Sequence, residues 1–170
     1  GRFTQLTNAM GGKTSYTNDP NGNMLPTTDA NGNSTSGSYD ALNRITSEVD
    51  GEGNITAYGY DSMGRVTAVT NALNGVTRYT YDLAGNLLTR TDPAGNTTAF
   101  QYDKLGRKVA QINADNSRQS FAYDPMGNLL KHTDEQGHET VYTYDAAGDL
   151  LTAKDPLDHT TAYSYNRNRQ

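Results

Sequence analysis

The residues with the chemistry to bind or react fall into a few groups, and each has a competing structural reading. "GGKTS" at residues 11–15 echoes the end of a phosphate-binding loop, where glycine amides and a lysine surround the phosphates. The full pattern needs a glycine five residues before Gly12, and Thr7 occupies that place. Aspartates in short turns with glycine, as in "YDSMG" and "TDPAG", suggest calcium, but the nine-residue glycine-rich period of calcium-binding rolls is absent. Three histidines are present, His132, His138 and His159, and the last two hold the same place in successive copies of a repeated phrase. In successive hairpins they would be roughly 9–10 Å apart, too far to share a zinc ion that needs ligands at about 2 Å, so exposed turn histidines are expected. No Ser-His-Asp set or carboxylate pair can be told apart from spacing that a repeat imposes. The chain is therefore expected to hold no catalytic residue, no metal and no cofactor, and not to be an enzyme. The tyrosines leave one binding reading open. Exposed rings could stack on glycans, against the alternative that they form the packing layer of a sheet.

The elements that position these residues follow from their spacing. Tyr39, Tyr60, Tyr81, Tyr102, Tyr123, Tyr144 and Tyr165 follow one another with a constant period of 21. With that tyrosine as column 0, column 1 holds Asp19, Asp40, Asp61, Asp82, Asp103, Asp124 and Asp145. Column 4 holds Gly22, Asn43, Gly64, Gly85, Gly106, Gly127 and Gly148. Asparagine best tolerates positive φ among the other residues, so Asp-x-x-Gly predicts a type I turn with glycine in the left-handed position. Ten residues further on the same chemistry recurs, with Asp50, Asn71, Asp92, Asn113, Asp134 and Asp155 followed by Gly53, Asn74, Gly95, Asn116, Gly137 and Asp158. These tyrosines, aspartates and glycines are expected to be structural repeat positions.

The run after the second turn has strand character. Column 17 is Thr14, Thr35, Thr56, Thr77, Thr98, Gln119, Thr140 and Thr161; column 19 is Tyr16, Gly37, Tyr58, Tyr79, Phe100, Phe121, Tyr142 and Tyr163. Columns 17, 19 and the next column 0 are two residues apart, so they share one face of a strand. Only Phe3 among the aromatic residues falls outside columns 19 and 0, which favours strands over helices, whose neighbours recur at three or four. The other run, with Met24, Ile45, Val66, Leu87–Leu88, Leu129–Leu130 and Leu150–Leu151, alternates less cleanly. Two hairpins of equal loop length would carry each residue to the one 20 further on. A period of 21 would then turn the tyrosines to opposite faces in successive repeats. One irregularity per repeat is therefore predicted, either a β-bulge or two turns of unequal length.

Composition fits an ordered array with no obvious ligand. Hydrophobic residues make up 34% of the chain, but they are columnar and not scattered, which argues against disorder. The net charge of −5 comes with no cluster of Lys and Arg, so no nucleic-acid partner is expected. There is no apolar run near the roughly 18 residues of a membrane span, no signal peptide in this segment, and no cysteine. The expected fold is all-β: a repetitive antiparallel hairpin array of about sixteen short strands, two per repeat, in a curved sheet. Residues 1–170 are read as a single array of about eight repeats with no separate catalytic or other domain. "NAMGGKTSY" and "NDPNGNM" continue the register backwards, and "YNRNRQ" enters another turn with Asn166, so both ends are read as cut mid-repeat. Open edge strands would invite edge-to-edge self-association.

"YDALNRIT", "YDSMGRVT", "YDLAGNLLTRTDPAGNTT" and "YDPMGNLLKHTDEQGHET" resemble the YD repeats of bacterial Rhs proteins, which also occur in Tc toxin C components and in teneurins. The resemblance covers essentially the whole chain. It implies a β-sheet strip spiralling into a hollow shell, neighbouring repeats of a parent chain as partners, and an encapsulated C-terminal toxin. It also implies a secreted or cell-surface-associated bacterial protein. A core-ending DPxGL motif is missing, since "DPAGN", "DPMGN" and "DPLDH" are repeat turns, and no cleavage residue can be carried over. The alternative function is a carbohydrate- or cell-surface-binding repeat module.

Overall fold

The computed structural model describes residues 5–16, 18–23, 25–29 and 31–165; Phe3, Met24 and the Asn166 turn lie outside the described residues. Among them there are sixteen strands and no helix. The chain forms two compact units, Gly1–Tyr79 with Thr91–Gly95, and Thr80–Arg90 with Asn96–Gln170. The first contains β1 (Gln5–Thr7), β2 (Lys13–Ser15), β3 (Thr27–Thr28), β4 (Ser34–Tyr39), β5 (Ile45–Val49), β6 (Ile55–Tyr60) and β7 (Val66–Thr70). β8 (Val76–Tyr81) and β9 (Leu87–Thr91) contribute to both. The second contains β10 (Thr97–Tyr102), β11 (Lys108–Ile112), β12 (Arg118–Tyr123), β13 (Leu129–Thr133), β14 (Glu139–Tyr144), β15 (Leu150–Lys154) and β16 (Thr160–Ala162). Within each unit, strands adjacent in sequence are adjacent in the sheet and antiparallel.

The odd period is accommodated by a bulge. Both kinds of turn close the same three-residue loop: the Asp40 N–H donates to the Arg44 carbonyl at 2.9 Å, and the Asp50 N–H to the Asn54 carbonyl at 3.0 Å. Unequal loops are thereby excluded. Beyond the first turn, Tyr39 pairs with Ile45 while Ser38 pairs with Ser47, leaving Thr46 as an extra residue on β5. The same slip recurs at Tyr60, Tyr102, Tyr123 and Tyr144, leaving Thr67, Val109, Leu130 and Leu151 extra. The β5–β6, β11–β12 and β13–β14 pairs carry no slip. Two equal hairpins account for an even advance along the chain and the bulge supplies the odd residue, so within each unit the tyrosines of the described repeats keep one face.

The bulge also explains why the apolar run alternates poorly. Leu129 faces Tyr123 in the ladder, and the adjacent Leu130 is the unpaired residue. It has a further effect on register. Ser38 pairs with Ser47, which pairs with Ala57, so the residue two strands away is 19 further on, two short of the repeat. Gln101, Ala110 and Ser120 repeat that step. Equivalent residues therefore move along the strands by two positions, roughly 6.8 Å, per repeat. As a result, aromatic column 19 lines up across the sheet with threonine column 17 of the next repeat: Tyr58 with Val69 and Thr77, and Phe121 with His132 and Thr140.

The two faces differ chemically. In β14, Thr140, Tyr142 and Tyr144 are half-buried, whereas Glu139, Val141 and Thr143 are exposed. The exposed face carries polar cross-strand pairs, including Thr143–Thr152 hydroxyls at 2.6 Å and a Lys131–Glu139 ion pair at 2.7 Å. Among the described residues only Ala110 (0% exposed) and Thr27 (7%) are fully buried. Among the described residues the rings of columns 19 and 0 are half-buried or exposed, and none is fully buried.

Candidate functional site

The recurring polar constellation is the turn. In each Asp-x-x-Gly the glycine N–H donates to the aspartate carbonyl, as Gly64 does to Asp61 at 3.0 Å and Gly53 to Asp50 at 3.0 Å. Gly64, Gly85, Gly106, Gly127 and Gly148 have φ of 84°, 93°, 75°, 98° and 84°. The four substitutes, Asn43, Asn74, Asn116 and Asp158, lie at φ of 59°, 62°, 66° and 66°. Side chains other than glycine's are strained there, and Asn and Asp least so. The aspartate carboxylate closes the turn from the side. Asp40 Oδ1 accepts the Leu42 and Arg44 N–H groups at 2.9 and 3.0 Å, and Asp145 Oδ1 those of Ala147 and Asp149 at 2.8 and 2.9 Å.

The second carboxylate oxygen takes the side chain immediately after the glycine position. Asp40, Asp61 and Asp103 bind Arg44, Arg65 and Arg107 at 2.7 Å. Asp82 and Asp124 bind the Asn86 and Asn128 amides at 2.8 Å. Asp134 and Asp155 bind Nδ1 of His138 and His159 at 3.0 and 2.9 Å. These two histidines are exposed turn residues, each held by its own aspartate and not converging on a shared ligand. The bond from Arg44 holds the Asp40 carboxyl below its ordinary range; the Asn86, Asn54 and His159 side chains do the same for Asp82, Asp50 and Asp155. "GGKTS" begins at the end of one of these turns, with the Gly11 N–H on the Asn8 carbonyl at 3.0 Å, and its last three residues are β2.

At three of the YD turns the tyrosine adds a longer-range bond. The Tyr60 hydroxyl donates to the Ile45 carbonyl at 2.7 Å, and Tyr123 and Tyr144 donate to the carbonyls of Lys108 and Leu129 at 3.0 Å. Ile45, Lys108 and Leu129 are the residues beside the bulge, and the ladder to the following strand begins only at Ser47, Ala110 and Lys131. The hydroxyl thus reaches a carbonyl beyond the end of that ladder, satisfying a group that would otherwise need water. Burial pushes the Tyr144 phenol up. Arginine joins the same constellation. The Arg44 guanidinium lies 4.6 Å from the Tyr60 ring centroid and donates to the Asp61 carbonyl at 3.2 Å; Arg107 lies 4.8 Å from Tyr123 and donates to the Asp124 carbonyl at 2.7 Å. One side chain therefore ties its own turn to the next repeat's tyrosine and turn.

Tyr39, Tyr60, Tyr81, Tyr102, Tyr123 and Tyr144 all end their strands, and Tyr165 lies beyond β16, exposed. Reading columns 0, 1 and 4 alone misses the residue after the glycine. Column 5, with Asn23, Arg44, Arg65, Asn86, Arg107, Asn128 and Asp149, is polar throughout and could have been noticed. Also unread were departures from the repeat that meet in space. Gln119 and Asn113 both donate to Glu135 Oε1, Gln111 donates to Asn113 at 3.2 Å, and Lys108 lies 4.9 Å from the Phe121 ring. His132 stacks on Phe121 at 4.9 Å, and its buried Nε2 has no hydrogen-bond partner. In the other unit, Tyr58 donates to Glu48 at 2.8 Å, a bond that raises the Tyr58 phenol.

An antiparallel sheet of bulged hairpins, recurring with a period of 21 and pinned by a tyrosine hydroxyl at three of the bulges, defines the class of protein. The chain belongs to the RHS Repeat family, whose model matches residues 19–55, 39–76, 60–97, 81–118, 102–140 and 123–160. Five of those matches begin at a column-0 tyrosine, in steps of one repeat. No curated protein matches the chain in sequence. Among solved structures, the TcdB2-TccC3-Cdc42 crystal structure is similar over 92% of this chain at 20% identity, with a TM-score of 0.76. The Photorhabdus luminescens Tc holotoxin pore is similar over 93% at 18% identity, with a TM-score of 0.75. The chain spans 11% of the length of each of these solved chains.

Proposed function

We propose that this chain is a wall segment of an Rhs-type shell, which encloses a C-terminal toxic effector of its parent protein until delivery. The observation that carries the reading is family membership through matches that run in repeat register along the chain. The likeness in fold to Tc toxin structures agrees with it. So does a half-covered aromatic layer that gains from flanking repeats of a longer chain. On this reading the residues act as one repeat array, the recurring chemistry of each repeat is structural, and the segment performs no catalysis. Its partners are neighbouring repeats and the enclosed toxin, in a secreted or cell-surface-associated bacterial protein. Tyrosine hydroxyls directed at backbone carbonyls weigh against column 0 as a glycan platform. Limited proteolysis of the full parent protein tests the proposal. The toxin domain should resist digestion when joined to the shell and be cut when expressed alone; equal susceptibility in both forms would overturn it.

A further inference from the structure

We propose that the cleft at Gly37 binds a small aromatic ammonium ion. Column 19 carries a ring in every repeat except at Gly37, where the ring is missing from β4. Gly37 pairs with Glu48, whereas the rings of Tyr58, Phe100, Phe121 and Tyr142 pair with Val69, Gln111, His132 and Ala153, none of them acidic. A ring has been lost and a carboxylate gained at one cross-strand pair. A cleft of about 310 Å³ opens there, lined by Leu25, Gly37, Tyr39, Ile45, Glu48 and Thr56 among others, all within the first unit. The Tyr39 ring lies directly over Gly37 and forms one wall of the cleft; a Cβ on Gly37 would meet its hydroxyl at 3.1 Å and its ring edge at 3.2 Å.

The lining dictates the ligand. Leu25, Ile45 and the Tyr39 ring offer apolar contact to a flat ring of the size the other repeats place in this column. Glu48 uses Oε2 to accept the Tyr58 hydroxyl and keeps a second carboxylate oxygen for a cation. Thr56 lies next in the same row, supplying a hydroxyl. A ring bearing a positive charge answers both halves of the Gly37–Glu48 pair. A cation gains from the exposed Glu48 carboxylate, a neutral sugar does not, and an aromatic acid is opposed by it. The volume is at the lower end for small-molecule sites, which suits a single ring.

Titration of the 170-residue chain with phenethylammonium, followed by amide NMR, tests this. Saturable shifts are expected at Thr35–Gly37 and Thr56, with a dissociation constant on the order of a millimolar for so small a ligand. 3-Phenylpropionate, with the same ring and the opposite charge, should bind about fivefold more weakly or worse. Gly37→Tyr, whose side chain must displace the Tyr39 ring from that wall, should abolish the shifts. Glu48→Gln, which leaves the backbone untouched, should erase the preference for the cation while a ring still binds. No saturable shift at these amides, equal binding of both charges, survival of binding in a folded Gly37→Tyr variant, or stronger binding by a methyl pyranoside would each overturn the proposal. Should Gly37→Tyr fail to fold, the Glu48→Gln comparison decides alone. Shell formation is not read by this assay, so its failure leaves the toxin-enclosing role standing.

Discussion

The two rows of turns share a backbone and differ in what they hold. Asp103 and Asp134 close three-residue loops with the same two backbone bonds, at 3.0 and 3.0 Å for Asp103 and 3.0 and 3.1 Å for Asp134. Yet the YD row is followed by a bulge and has tyrosine and arginine reaching across strands, whereas the strands leaving the other row pair without a slip. The comparison teaches that the turn motif sets only where the chain reverses. Long-range order comes from side chains that meet the bulge, a local weakness made regular by a bond the ladder cannot supply.

That division of labour can be broken at its strongest point. Tyr123→Ala removes the half-buried ring, the bond to the Lys108 carbonyl and the Arg107 contact, and should cost about 3 kcal/mol by urea unfolding. Tyr123→Phe, losing the hydroxyl alone, should cost about 1 kcal/mol; no loss would show that water serves the bulge carbonyl equally well. Next come the glycines. Gly106→Ala and Gly137→Ala, at φ of 75° and 84°, should each cost about 1–2 kcal/mol, with little difference between rows. A large difference would mean the two turns are not equivalent. Replacement of Gly106 by Asn should be milder than by Ala, since Asn43 and Asn116 already occupy such places.

Arg107→Met should cost about 1 kcal/mol, and His138→Ala less than about half that, because only the arginine engages the next repeat. Equal effects would remove the arginine from the long-range order. The smallest effect per turn is expected from acid and should not distinguish the rows. Asp40 and Asp82 in one row and Asp50 and Asp155 in the other are held below the ordinary carboxylate range by side-chain hydrogen bonds. A carboxyl whose folded pKa lies below its unfolded value stabilises the fold above the unfolded pKa, about 3.9. That contribution is lost as pH falls through the folded value. Unfolding midpoints followed downward from about pH 5 should therefore decline, and a flat profile would contradict the role of the carboxylates.

How much of this could be read in the sequence depends on the distance over which each residue acts. Asp61 and Gly64 close a loop within their own few residues, so their types and spacing announce the geometry. The need for one irregularity also follows from an odd period. Its location does not, because Leu129 and Leu130 look alike as letters, and only the pairing tells which one is extra. Arg44 is more hidden still. Its partners are an aspartate four residues back and the tyrosine and turn of the next repeat, brought near by a register that the bulge itself sets. Gly37 was legible as an exception, but the cleft beside it was not, since its depth depends on how Tyr39 leans. Glu135 and Gln119 become neighbours across the β12–β13 hairpin, in a register that the bulge at Leu130 shifts by one residue.

The single bulge fixes the increments by which such a protein can change length. A one-residue insertion in any strand would invert the sidedness of everything downstream until a second error cancelled it, whereas adding or deleting a whole repeat leaves every row of rings continuous. Length in this architecture is therefore counted in copies, and can be adjusted by duplication without redesigning a single contact.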